Sequence, residues 1–278
     1  MLRLAYLFML IGMPFFAWAN KVTWYAYDQP PAYIFEGKYK QQGYINKAQQ
    51  LVTERMPTYR HVEVLASVGR IMRDLRSKDI CVFGLFKTPE RQQYVAFSQP
   101  ALIHRNLGVM MKKSTASKHQ LAQTVSLHYL LGDLQLNVYT IDGRSYGNTI
   151  DGILKEHKRR VSTRATKSTR DVYRMLQRDR TDFILVFPES VNYAMEVSGF
   201  EFQYELLAID EVPKLTHSYI GCHDSNQGRQ IIKDIDRALT ELVQGYDYLD
   251  AMATWERGDL NQQGFKEYYQ HVFMKGKQ

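Results

Sequence analysis

Apolar and polar positions along this 278-residue chain switch between a period of two and a period near 3.6, which places strands and helices in alternation. Val22 to Tyr27 is aromatic and β-branched and runs into Asp28-Gln29-Pro30-Pro31, which predicts an opening strand followed by a loop. Tyr44 to Met56 has helical periodicity, Val62 to Leu65 is a short strand, and Val68 to Ser77 sets Ile71, Met72 and Leu75 on one helical side. Asp79 to Leu85 then returns as a buried strand. This alternation is that of βαβ units with a parallel sheet and right-handed crossovers.

After Ser98-Gln99-Pro100 the pattern starts afresh. Leu107 to Met111 and Leu136 to Tyr139 read as strands, and the loop Gly143 to Gly147 feeds a helix through Ile150, Ile153 and Leu154. Thr169 to Arg178 is a second helix, Phe183 to Phe187 a buried strand ended by Pro188, and Asn192 to Val197 a short helix. Phe202 to Ile209 reads as an edge strand, Tyr219 to Cys222 as a strand, Gln230 to Val243 as a helix, and Tyr246 to Trp255 as a terminal helix. The last strand and helix have no partner block of their own, which suits a chain that returns to the first of two α/β lobes.

Composition adds an ordinary cored protein: 45% hydrophobic and 23% charged residues, with 17 Gly and 8 Pro, exclude disorder, collagen and coiled coil. The first nineteen residues differ from the rest. Arg3 precedes an apolar run from Leu4 to Phe16, then Ala17-Trp18-Ala19, the pattern of a secretory signal with cleavage expected before Asn20. No later window holds the roughly 20 apolar residues of a membrane span. Without Arg3, 35 Lys+Arg face 29 Asp+Glu. Part of the basic excess lies between Lys155 and Arg180, where no nucleic-acid motif occurs and a solvated helix face is the expected role. A soluble, exported monomer with no nucleic-acid partner is expected.

The run Gly84-Leu-Phe-Lys-Thr88-Pro-Glu90-Arg91, followed by Tyr94-Val-Ala-Phe97-Ser98-Gln-Pro100, resembles the T-x-E-R and F-S-x-P signature of family 3 bacterial extracellular solute-binding proteins. Pro30-Pro31, Gly43-Tyr44, Tyr219-Ile-Gly-Cys222 and Trp255-Glu-Arg-Gly258 fall in the order of that family. The resemblance implies a two-lobed α/β fold of the periplasmic-binding-protein type (type II), each lobe a sheet flanked by helices, with ligand in the cleft between them. Lobe 1 would span residues 20–103 and 216–278, and lobe 2 residues 104–215. Cys81 and Cys222 would then share lobe 1, as two buried free thiols or as a disulfide if their Cα atoms lie within about 7 Å.

The resemblance also supplies candidate ligand-binding residues. Arg91 matches an arginine that grips a ligand carboxylate through the guanidinium fork, the alternative being a surface arginine paired with Glu90. Gly84 matches a position of close backbone approach, and Thr88 places a hydroxyl at the cleft or caps the turn that follows. Phe86 and Phe187 stand where amino-acid binders carry polar partners for an ammonium group, with Glu189 the nearest acid, so a standard free α-amino acid is disfavoured. From lobe 2, Arg144 and Tyr146 lie in the glycine-bracketed loop before a helix, where an anion is welcome. Tyr27 and Tyr33, with Tyr25, offer an aromatic wall.

The expected ligand is therefore a small anionic or aromatic-bearing solute, handed to an ABC-type permease or a sensor. No catalytic constellation, zinc spacing or nucleotide loop is legible, and neither a cofactor nor a metal is expected. The alternatives are a dehydratase-like enzyme on the same scaffold, or a ligandless partner of a membrane sensor.

Overall fold

A computed structural model describes residues 20–166, 168–197 and 199–256, together with 267, 268 and 271. The expected signal segment and Arg257 and Gly258 of the C-terminal motif lie outside these residues. The structure is mixed α/β, built on two sheets.

The first sheet contains β1 (Asn20–Ala26), β2 (Tyr59–Leu65), β3 (Cys81–Leu85), β4 (Val95–Arg105) and β11 (Leu215–His223), in the order β2-β1-β3-β11-β4. β1 is parallel to both β2 and β3, as βαβ connections require, whereas β11 runs antiparallel to β3 and β4. The second sheet contains β5 (Gly108–Lys112), β6 (Thr124–Val125), β7 (Val138–Ile141), β8 (Val161–Arg164), β9 (Phe183–Val186) and β10 (Tyr204–Ile209), in the order β6-β10-β5-β9-β7-β8. β10, expected at the edge, is covered by the two-residue β6, which pairs with Ala208 and Ile209.

The helices are α1 (Tyr44–Glu54), α2 (Val68–Asp74), α3 (Lys113–Lys118), α4 (Asn148–Glu156), α5 (Arg170–Gln177), α6 (Pro188–Glu196), α7 (Asn226–Leu242) and α8 (Tyr246–Ala253). α1 buries Tyr44, Ile45, Ala48 and Val52, and α7 buries Ile231, Ile232, Ile235, Ala238, Leu239 and Leu242, against one face of the first sheet around Trp24 and Tyr248. The spacing of these positions is the i, i+3, i+4 stripe that drives a helix onto a sheet. Ser225 starts α7 by accepting a hydrogen bond from Gly228 N at 3.0 Å. The second sheet is covered on both faces, around Leu127, Leu130 and Phe183 on one side and Met110, Tyr173 and Ile184 on the other.

Three strands are missing from the sequence reading: the short β6 and β8, and β4, whose Ser98-Gln99-Pro100 resembles a break. Proline lacks the N–H a central strand needs, but β4 is an edge strand and its register with β11 shifts on either side of Tyr219. β4 leads into the second sheet and β10 leads back into β11, so two antiparallel crossings join the sheets.

The expectation of free thiols is overturned. Cys81 and Cys222 are paired residues on β3 and β11, with Cα atoms 4.0 Å apart, and they form a disulfide. Direct pairing across an antiparallel ladder brings the side chains together, which residue spacing of 141 positions does not reveal.

Where the strands cross, a buried acid lies near a half-buried arginine–glutamate pair. Arg105, at the end of β4, lies 3.2 Å from Glu256. Glu189, at the start of α6, is buried, accepts a hydrogen bond from the Tyr44 hydroxyl at 3.5 Å through Oε1, and leaves Oε2 without a partner among the described residues. Burial, then the charge of Glu256, raise the Glu189 carboxyl to about 8, against the pull of its own backbone N–H, Arg105 and Tyr44.

Two outcomes are expected. Closing a loop of this length contributes about 5 kcal/mol in the chain-entropy account, and removal of native disulfides commonly costs about 2 to 5 kcal/mol. The Cys81→Ser, Cys222→Ser double variant should lose stability on that scale in urea denaturation; an unchanged midpoint would refute the pairing. For Glu189, the folded-state value lies above the ordinary 4.5, so the folded chain keeps a proton that the unfolded chain has released, and stability falls as pH rises through that interval. Glu189→Gln, which mimics the protonated acid, should remove this loss between about pH 5 and 8, and parallel pH profiles for the two proteins would contradict it.

Candidate functional site

A space with an aromatic wall lies between the two sheets, where the loop after β1, the end of β3, the turn carrying Arg91 and the loop before α4 converge. Arg91, Gly84, Phe86, Tyr27, Tyr33, Arg144 and Phe187 all line it. Thr88, Tyr146 and Glu189 do not, and each has another partner.

Gly84, the penultimate residue of β3, has φ +83°, in the left-handed region, and a Cβ there would sit 2.9 Å from Ile45 Cδ1. Glycine therefore meets both a conformational and a packing demand. The chain then turns to bring Arg91 into the wall. Thr88 Oγ1 accepts a hydrogen bond from Arg91 N at 3.2 Å, so it fixes the turn. Arg91 is buried, and its guanidinium donates to Phe86 O at 3.1 Å and, across the cleft, to Gly143 O at 3.3 Å. Burial lowers its pKa, opposed by Tyr94, Asp151, Glu90 and Tyr27, but a guanidinium remains charged in proteins.

From the opposite lobe, the loop Gly143 to Gly147 is shaped by Asp151 in the first turn of α4. That carboxylate accepts from Ser145 Oγ at 2.5 Å and Tyr146 N at 2.7 Å. Tyr146 turns inward, its hydroxyl accepting from Ile141 N at 3.0 Å, and its ring supports Arg144 from below. The Arg144 guanidinium lies 5.1 Å from the centre of the Tyr146 ring and 5.8 Å from that of Phe187. Among the described residues its side chain makes no ion pair or hydrogen bond.

Burial pulls the Arg144 pKa down, but its environment of Tyr27, Tyr146, Tyr44 and Tyr173 outweighs this and the net shift is upward. Burial also raises all four of those tyrosines, so at neutral pH each is uncharged. The guanidinium thus faces hydroxyl dipoles and ring faces, with no anion to neutralise it. Beside it the Tyr173 hydroxyl is buried with no hydrogen-bond partner among the described residues.

The floor carries residues that sequence patterns did not single out. His104 on β4 is buried, lies 2.7 Å from Ser218 Oγ on β11, and burial drives its pKa down to about 3. It is a neutral imidazole, so the arginines alone supply positive charge. Gln29, Tyr44, Met72, Ser145 and Ser218 also line it, and no Asp or Glu appears among the described lining residues. Nothing local in the sequence marks His104; only the β4–β11 pairing places it there.

The lobes are closed on one another. Ser168 Oγ donates to Asp28 Oδ2 at 2.7 Å, Thr169 N donates to Asp28 O at 3.3 Å, and the Tyr193 and Trp255 rings meet edge to face at 5.1 Å. The space left inside is about 70 Å³. An engineered cavity of about 150 Å³ is the size that takes up benzene, so a solute larger than a few atoms enters only after these contacts open.

No family model matches the chain, and no curated protein does. Solved structures do match. A Salmonella typhimurium periplasmic binding protein with high arginine specificity aligns with a TM-score of 0.63 at 16% identity, covering 85% of this chain and 99% of that one. A structure from work on glutathione import via GshT and the cystine ABC importer of Streptococcus mutans gives 0.65 at 14% identity, covering 85% of this chain and 94% of that one. A histidine kinase sensor domain with similarity to periplasmic binding proteins also gives 0.65, at 16% identity, covering 85% and 95%. At such identities the likeness is one of fold, and it agrees with the two sheets and the cleft between them: this chain has the two-lobed α/β fold of periplasmic solute-binding proteins.

Proposed function

We propose that this protein reversibly captures a small carboxylate-bearing solute between its lobes, in the periplasm, and presents it to a membrane partner, either an ABC-type permease or a sensor. The observation that carries this reading is Arg144, a guanidinium held against Tyr146 and Phe187 in a cleft with no described acidic residue in its wall. A half-buried charge without a counter-ion is costly, and a ligand carboxylate would supply the missing partner with two parallel hydrogen bonds. Arg91 would serve as the second cation by exchanging its bond to Gly143 O for one to the ligand.

The same wall argues against an amino group on the solute. Phe86 and Phe187, with ring centres 6.5 Å apart, occupy the places where an ammonium would need acceptors. The ligand body is then apolar or aromatic, resting on Tyr27, Phe86 and Phe187. The Cys81–Cys222 disulfide is consistent with an oxidising compartment, and the apolar leader with export. Binders and a sensor domain among the structural neighbours support capture and release in preference to turnover.

A thermal-shift screen of residues 20–278 against dicarboxylates, aromatic acids, amino acids and short peptides tests this. Ligand at 100 times its Kd should add about 2.7 kcal/mol of stability. Arg144→Ala should fold and lose about 2 to 5 kcal/mol of affinity for the same ligand, the scale for removing one half of a buried charge pair, and Arg91→Ala should weaken it as well. A carboxylate that stabilises wild type and Arg144→Ala equally would refute the anchor, and a preference for cationic solutes would refute the ligand class.

A further inference from the structure

Away from the cleft, on the second lobe, the fold assembles a group of metal-capable side chains. The eight histidines show no zinc-type spacing in sequence, yet His128 and His157 end up side by side. His128 Nδ1 lies 3.2 Å from His157 Nε2 and 3.8 Å from Glu156 Oε2, and these three ligand atoms fall within 4.8 Å of one another. We propose that His128, Glu156 and His157 form a binding site for a divalent first-row transition metal ion, with zinc as the reference ion. The sequence-based expectation of no metal site is revised accordingly.

The spacing suits the ion. Two imidazole nitrogens at about 2.0 to 2.1 Å from a tetrahedral zinc lie about 3.3 Å apart, so the rings need almost no movement. Without metal, the same approach is a ring-to-ring hydrogen bond, and the ion takes the place of its proton. Glu156 Oε2, 3.8 Å from His128 Nδ1, reaches the ion by a side-chain adjustment. His128 and Glu156 are exposed and His157 half-buried, so the ion can enter from solvent and water can complete its coordination.

The surroundings hold the ligands in place. The Glu211 carboxylate accepts hydrogen bonds from Ser126 Oγ at 2.6 Å, Leu127 N at 3.1 Å and His128 N at 3.3 Å, which pins the backbone that presents His128. His128 opens a single π-helical turn, Tyr129–Asp133, a local form found disproportionately at functional sites. Within it, a Cβ on Gly132 would lie 3.1 Å from His157 Cε1, so the absence of a side chain there makes room for the ring. His157 caps the C-terminal end of α4, the end of a helix that favours a cation.

The charge around the site decides which cation. Lys155, Lys158, Arg159 and Arg160 flank it, and only one carboxylate contributes. Calcium and magnesium depend on several oxygen ligands and are disfavoured, whereas imidazole donors suit zinc, nickel and copper.

The test is isothermal titration of the tag-free protein with zinc chloride, with magnesium chloride as control and cobalt(II) absorption as a readout of ligand geometry. The expected result is one zinc per chain at micromolar concentration, no uptake of magnesium, and a tetrahedral cobalt spectrum. His128→Ala with His157→Ala should abolish this uptake while keeping the metal-free melting temperature, and Glu156→Gln should weaken it by roughly 10-fold or more. Failure of the wild type to take up zinc at micromolar concentration would overturn the site. So would uptake undiminished in the double histidine variant, which would assign the ion to other residues.

Discussion

The molecule hangs on one antiparallel ladder, the pairing of β4 with β11. Its register runs from Leu215 opposite Arg105 to His223 opposite Val95, and both strands pass from the first sheet toward the second. Everything that makes the cleft depends on it. His104, opposite Thr216, and Ser218, opposite Leu102, meet diagonally across this pair at the cleft floor, and β11 carries Cys222 to Cys81 on the strand that bears Gly84. The register shifts around Tyr219 show where the ladder is least regular, next to Pro100. Hinge motion of two lobes requires such a joint, continuous enough to preserve identity and imperfect enough to bend.

The cleft is asymmetric in charge. Its cations are Arg91 and Arg144, its histidine is neutral, and its remaining side-chain polarity comes from the Gln29 amide and from tyrosine and serine hydroxyls. Arginine is suited to this setting because it stays charged when buried and stacks on aromatic faces, which lysine does less well. The arginine-specific protein from Salmonella typhimurium shares the fold with this chain, but fold alone does not carry ligand choice. What lines the wall decides that, and here much of the wall is aromatic.

Much of the fold was legible because its elements are strongly periodic. The strands flanking α1 and α2, the amphipathic α7, and the loop feeding α4 each carry their own pattern of apolar positions and turn residues. β4 was lost because Pro100 and its polar neighbours imitate a break, and only an edge position next to an irregular partner makes them tolerable in a strand. The site was legible where a motif is local: Gly84 and Arg91 fall within a single run of eight residues. It was not legible where contacts are long-range. Tyr146 supports Arg144 instead of lining the cleft, Glu189 turns to the strand crossing, and His104 enters through pairing with a strand more than a hundred residues away. Helical period does place His157 at the end of α4, but its nearness to His128 depends on how the π-helical turn packs, which no spacing rule encodes.

The Cys81–Cys222 bond has a consequence for how this protein would withstand proteolysis. The 141-position span between the cysteines contains all of the second sheet, so the bond closes a covalent ring around the second lobe. A protease that cut any exposed loop within that ring would convert the ring to an open form without releasing a fragment. The two pieces would stay tethered across β3 and β11, and the break would show only after reduction.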